Sequence, residues 1–277
     1  MALIHGTNFS DNNTRQGIWP FEATYSQING TSSADTIYGL AGDDIVFGGS
    51  GNDVMYGDRS SGTTTAVGFQ GKDFMYGGAG DDTIYGDGGD DMLYGEADND
   101  LLYGGAGSDQ LFGGNNSGGG IDRLYGDEGN DSLVGDDSET VGGTDYLYGG
   151  SGDDQLFGKA GNDLLQGQSS SSLGSIFERD YLTGGLGSDT FRVAGLYKHG
   201  GDNDYAHIRD WNYGGNQDKL DVTDSNVALF QIDANTFNVY QASPGLLGGL
   251  NQELVAIVDS GVLANQALKE SILSNLV

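Results

Sequence analysis

A nine-residue period constrains this chain more than any other feature. From Gly30 it reads GTSSADTIY, GLAGDDIVF and GGSGNDVMY, and later GGAGDDTIY, GDGGDDMLY, GEADNDLLY and GGAGSDQLF. Fifteen units run end to end from Gly30 to Arg192. Eleven have nine residues; those starting at Gly57, Gly113, Gly135 and Gly167 have 20, 13, 14 and 17. Each unit keeps an aspartate just before its last three residues: Asp35, Asp44, Asp53, Asp73, Asp82, Asp91, Asp100, Asp109, Asp122, Asp131, Asp145, Asp154, Asp163, Asp180 and Asp189. Two residues further on lies an apolar side chain: Ile37, Val46, Met55, Met75, Ile84, Leu93, Leu102, Leu111, Leu124, Leu133, Leu147, Leu156, Leu165, Leu182 and Phe191. A flexible glycine-rich linker has no reason to hold an apolar phase through fifteen units, so the period is structural.

The physics of the unit follows. Three residues such as Thr83-Ile84-Tyr85 make a short strand whose middle side chain points to one face and whose neighbours point to the other. The glycine-rich six before them reverse the chain, because glycine accepts positive φ. Two units then close one coil, and successive coils stack as parallel strands about 4.8 Å apart. The expected fold class is all-β: a right-handed parallel β-roll, roughly 36 Å long, with the middle apolar residues of two sheets meeting in a thin core.

Charge narrows the partners. The chain carries 41 acidic and 11 basic residues, a net charge of -30. Such a surface repels phosphate backbones and anionic membranes, which excludes nucleic acid as a partner. No apolar run is long enough to span a bilayer. The favoured partners are cations. Turns of units n and n+2 stack, each bringing an aspartate and often a second acid, as in Asp43-Asp44, Asp81-Asp82, Asp90-Asp91 and Asp153-Asp154. Stacked carboxylates repel unless a cation lies between them. With no cysteine in the chain, the cage is oxygen only. An irregular cage of carboxylate and carbonyl oxygens suits calcium better than magnesium, which demands strict octahedral geometry.

The unit resembles the GGxGxDxUx nonapeptide of the RTX family, the hemolysin-type calcium-binding repeats; Gly77–Tyr85 and Gly149–Phe157 match it in full. The resemblance implies calcium ions in the turns of a parallel β-roll. It also implies export through a type I channel and folding outside the cell, hence a secreted, extracellular protein. The segment Asp204-Tyr205-Ala206-His207-Ile208-Arg209-Asp210-Trp211, with Asp218-Lys219-Leu220-Asp221, is similar to the family's DxIxDF…DxIDL closing segment, Trp211 standing in for the usual phenylalanine. In the family this segment covers the last coil, and its acids help hold the final ions. Asp210 is therefore added to the fifteen repeat aspartates as a metal-ligand candidate, with Asp202 and Asp204 behind it. The Gly30 unit lacks the second and third glycines, so its gap is expected to be the weakest.

Three regions are expected: an N-terminal cap at 1–29, containing Ile18-Trp19-Pro20-Phe21; the roll at 30–192; and a β-rich capping segment at 193–277. Strand-like stretches in the last are Tyr205–Trp211, Lys219–Val222, Val227–Ile232, Thr236–Gln241 and Glu253–Val258. The tail Val262–Val277 reads as a short amphipathic helix with Ala264, Leu268, Ile272 and Leu276 on one face. It is compatible with a type I export signal and equally with packing against the closing strands. Met1–Ser10 has no basic region followed by an apolar core, so a classical signal peptide is not expected.

No catalytic motif is found. His5, His199 and His207 form no HExxH, and there is no GxSxG, P-loop or dinucleotide fingerprint between a strand and a helix. A non-enzymatic structural or interaction module is expected, with an unrecognised hydrolase as a remote alternative. Eleven units end in an aromatic residue: Tyr38, Phe47, Tyr56, Tyr76, Tyr85, Tyr94, Tyr103, Phe112, Tyr125, Tyr148 and Phe157. These form an outward ladder on each sheet. It stabilises the sheet, or it serves an adhesin that binds glycan, matrix or cell surface. The insertions precede the aspartates, where a solenoid accepts them. Counting places Asn115–Gly120 and Asp136–Gly143 on one edge as a single patch. Ser60–Phe69 and Ser169–Arg179 fall apart from each other on the opposite edge.

Overall fold

The structure, a computed structural model, describes residues 3–5, 26–58, 70–114, 120–168, 178–192, 205–210, 218–221, 227–231, 236–244 and 250–259. Every repeat unit contributes one strand, from Thr36–Tyr38 in the first to Thr190–Arg192 in the fifteenth. Alternate strands enter alternate sheets, one of ten strands and one of twelve, so that each strand pairs in parallel with the strand two units away. This is a parallel β-roll.

The register puts each middle apolar residue on its counterpart. One sheet runs Ile37, Met55, Ile84, Leu102, Leu124, Leu147, Leu165, Phe191. The other runs Val46, Met75, Leu93, Leu111, Leu133, Leu156, Leu182. All fifteen are fully buried and share one cluster. A slip by one residue would turn an entire column out to solvent, so the core alone fixes the register. Strands are longer than three residues in most units; Phe74–Ala79 is an example. The backbone ladder continues through the first positions of the next turn, with Gly49 opposite Gly78 and Ser50 opposite Ala79.

The stack extends beyond the repeats at both ends. Leu3–His5 pairs with Thr36–Tyr38, and Ser26–Asn29 with Asp44–Ser50. After the last repeat, Tyr205–Ile208 and Lys219–Asp221 add one strand to each sheet, burying Ile208 and Leu220. Leu250–Asp259 then pairs in parallel with Tyr205–Ile208, and Thr236–Pro244 and Val227–Gln231 follow it antiparallel. The change of direction ends the solenoid. The tail 262–277 and the segment 18–21 lie outside the described residues, and no helix occurs among those described.

The aromatic ladders are continuous over most of their length. Tyr38, Tyr56, Tyr85, Tyr103, Tyr125 and Tyr148 stack with centroids 4.8 to 5.0 Å apart. Phe47, Tyr76, Tyr94 and Phe112 do the same on the other sheet, up to the break at Val134. The insertion stems behave as the unit count requires: Gly114 pairs with Asp136, so those of the ninth and eleventh units leave from one edge. Glu139 in the eleventh-unit loop forms an ion pair with Lys159 of the thirteenth. Asn116 lies outside the described residues.

Candidate metal centre

Numbering each regular unit 1 to 9, the aspartate stands at position 6 and the turn at positions 1 to 6. Positions 2 and 4 lie in the left-handed region, as at Gly78 (φ 113°) and Gly80 (φ 123°), which explains two of the three glycines. The glycine at position 1 has a different cause. A Cβ there would strike Oδ2 of the same unit's aspartate in every unit from Gly39 to Gly184. In most it would also strike the position-1 carbonyl oxygen two units on; at Gly77 the distances are 2.5 Å to Asp82 Oδ2 and 2.7 Å to Gly95 O. The missing side chain lets a carboxylate oxygen and a main-chain oxygen from stacked turns approach the same space.

The fifteen position-6 aspartates form two buried columns, each residue no more than 2% exposed. From the third unit on, each Oδ1 accepts the backbone N–H of the aspartate in the preceding turn of its stack, at 2.6 to 3.0 Å. For twelve of them, Asp53, Asp73, Asp82, Asp91, Asp100, Asp109, Asp122, Asp131, Asp145, Asp154, Asp163 and Asp189, Oδ2 is buried without a hydrogen-bond partner. A buried carboxylate oxygen with nothing to bind is costly, and a line of them calls for cations. Asp35 differs: its Oδ2 accepts from the N–H and hydroxyl of Thr31, both at 2.7 Å. Among the described residues no three acidic or imidazole side chains close on one point. The cage in each gap must therefore draw on main-chain oxygens as well, a donor set that fits calcium.

The acids at position 5 are less buried than those at position 6. Asp81, Asp90 and Asp153 are exposed, and Asp43 is half-buried. Each accepts the backbone N–H of position 5 in the next turn of its stack, from Asn99, Ser108, Arg179 and Lys72 respectively, at 2.8 to 3.0 Å. Asn99, Asn130 and Asn162 do the same, so an uncharged amide suffices. Position 5 clamps forward and position 6 backward along the roll. The Asn99 side chain and N–H hold Asp81 below the usual carboxylate range.

At the C-terminal end the structure selects differently among the candidates. Asp210 is half-buried and accepts the N–H groups of Gly184 at 2.9 Å (Oδ1) and Gly185 at 2.7 Å (Oδ2), closing over the last repeat turn. Asp202 and Asp204 lie outside the described residues, and in the register the position beneath Asp180 goes to Ala206. Asp218 extends the other column: it is buried and accepts the Asp189 N–H at 3.0 Å. Asp218 was not among the metal-ligand candidates drawn from the sequence. Its signal was present, since Asp218 precedes Leu220 by two residues as in every repeat.

Burial, opposed in part by the donated N–H groups, raises the column carboxylates. Asp109 and Asp189 are pushed up to about 6, Asp82, Asp122 and Asp131 to about 7, Asp91, Asp100 and Asp163 to about 8, and Asp145 to about 9. Asp154, beside Asp180, is also raised. A raised carboxylate binds more protons folded than unfolded, so without metal the roll gains stability as pH falls from about 9 towards 4 and loses it as pH rises. Ions compete with those protons. Calcium affinity is therefore expected to be weaker at pH 6 than at pH 8, with protons released on binding. Calorimetry at neutral pH in two buffers of different ionisation enthalpy reads that release; buffer-independent heats would contradict it.

A family model described as RTX calcium-binding nonapeptide repeat (4 copies) matches residues 28–63, 67–102, 88–117, 116–139, 140–169 and 178–193, together more than half of the chain. No curated protein matches the chain.

Proposed function

The chain belongs to the RTX calcium-binding nonapeptide repeat family, and from that premise we propose that it is a secreted β-roll whose calcium ions complete the fold, serving as a structural or interaction module rather than as an enzyme. The family binds calcium in the turns of the roll. The observation that carries the reading is the pair of aspartate columns with buried, unpartnered Oδ2 atoms. The ligands are assigned to the position-6 aspartates from Asp44 to Asp189, together with main-chain oxygens of the stacked turns. Asp35, already held by Thr31, gives the weakest gap. Asp210 and Asp218 tie the closing segment to the last turns. No helix among the described residues is long and apolar enough to cross a membrane. Release by a type I channel follows from the family and suits a chain that stays unfolded in low calcium.

A glycan- or surface-binding role draws on the tyrosine ladders. Their rings are nearly parallel and turned towards one another. That supports cohesion of the sheets more directly than a surface for sugars.

Fifteen repeat turns in two stacks give thirteen gaps between neighbours, seven of them between uninterrupted units. Equilibrium dialysis at saturating calcium is expected to find about 7 to about 13 ions in the roll, plus any held by the closing segment. Fewer than about five would contradict one ion per regular gap.

A further inference from the structure

Position 2 carries an acid in several units, and three of these acids sit in left-handed turns and are not buried as whole residues. Asp87, Glu96 and Asp127 have left-handed φ of 75°, 77° and 74°; Glu96 and Asp127 are exposed and Asp87 is half-buried. The two that open long units do the opposite. Asp58 in the fourth unit is fully buried and Asp136 in the eleventh is 1% exposed, and neither has a positive φ. Both open units with extra residues, and in both the position-2 carboxylate is buried in the turn. Asp58 Oδ2 accepts the Gly71 N–H at 3.2 Å, and Asp136 Oδ2 accepts the Gly143 N–H at 3.0 Å. Gly71 and Gly143 each lie two residues before their unit's column aspartate, so two unrelated insertions arrive at one geometry.

These carboxylates have anionic company. Asp58 feels Asp87 and Asp44 and acts on Asp73 and Asp91. Asp136 lies close enough to the Asp145 carboxyl to share a hydrogen with it, feels Asp137, and acts on Asp122, Asp145 and Asp163. Among the described residues, the Lys72 ammonium lies over the Phe74 ring at 5.6 Å, and Lys159 pairs with Glu139. Asp58 Oδ1 is buried and makes no hydrogen bond of good geometry, although the Gly42 backbone also lies beside this carboxyl. A Cβ on Gly142 would meet both Asp136 Oδ2 and the Ala160 carbonyl oxygen, placing a main-chain oxygen of the next turn beside this carboxylate.

We propose that Asp58 and Asp136 are calcium ligands supplied by the insertions, giving two gaps a second carboxylate each and making them the tightest sites of the roll. Calcium affinity rises with the negative charge of the ligand set, so these gaps fill first as the ion concentration rises. The proposal rests on the calcium-binding reading above.

The test is a calcium titration of the full chain against a competing fluorescent chelator, with circular dichroism as a check on folding. The wild type is expected to show about two sites that fill at roughly tenfold lower free calcium than the rest. Asp58→Asn and Asp136→Asn should each remove one tight site, and the double variant both, with strand content at saturating calcium unchanged. Glu128→Gln, which removes an exposed acid outside the columns, should leave the tight class intact. Asparagine still accepts the Gly71 or Gly143 N–H, so a carboxylate that merely holds the turn predicts titrations identical to wild type, and that result overturns the proposal. A wild type with calcium sites of a single class overturns it while leaving the calcium reading in place. A chain that binds no calcium overturns both.

Discussion

Stripping the protein of calcium with excess chelator at neutral pH is expected to change its circular dichroism from strand to coil, and millimolar calcium to restore it. The repeat block holds 29 acids against 6 bases. The position-6 carboxylates lie in stacked columns with almost no contact with water. Ionised, they repel one another at the spacing of adjacent strands; protonated, they must hold protons well above the normal carboxylate range. Opposing this is a core only two side-chain columns wide. Ions in the turns remove the repulsion and give the buried oxygens a partner, so their binding free energy becomes folding free energy. Magnesium should substitute poorly, because it keeps its water and resists irregular cages. A strand spectrum unchanged by chelator would show that the columns tolerate one another without metal.

The second large effect is expected from one methyl group. Gly77→Ala places a Cβ 2.5 Å from Asp82 Oδ2 and 2.7 Å from the Gly95 carbonyl oxygen, closer than real Cβ atoms approach anything. Neither neighbour moves freely: Asp82 Oδ1 accepts the Asp53 N–H at 2.6 Å, and Gly95 lies within the strand Met92–Ala97, which pairs with the strand that contains Gly77. The methyl therefore drives the carboxylate out of its column. We expect a loss of about 3 kcal/mol or more in calcium-saturated stability, with fewer bound ions, measured by thermal unfolding and dialysis. Leu40→Gly tests the same turn chemistry in the opposite direction. Leu40 sits at position 2 with φ 87°, and glycine there should add about 1 kcal/mol by relieving left-handed strain. Equal and small effects of both substitutions would mean that the turns are looser than the stacked geometry requires.

The roll itself was legible in the sequence. Period, apolar phase and alternation of sides are local properties repeated fifteen times, and Ile37 to Phe191 are buried as the phase requires because any other register exposes the column. The aspartate columns were legible for the same reason. Tertiary structure decided where the carboxylates point. Asp43 and Asp44 are adjacent in sequence, yet one clamps the next turn from the rim while the other is buried in the column, because a turn's edge and interior are defined only once coils stack. Position 1 is glycine for a reason that a single unit contains only in part, since one of the atoms a Cβ would strike belongs to the following coil. At the C-terminal end, Ala206 takes the place under Asp180 while Asp218 prolongs the other column, a choice made by the register of the closing strands. Asp58, Asp87 and Asp136 all follow a position-1 glycine, but Asp87 lies half-buried with left-handed φ while Asp58 and Asp136 are buried. The difference goes with the backbone at position 2, which is left-handed in the nine-residue unit and not in the two longer ones. Residue type and spacing specify the fold, while the contents of each gap depend on neighbours that are distant in the chain and become adjacent only in the stack.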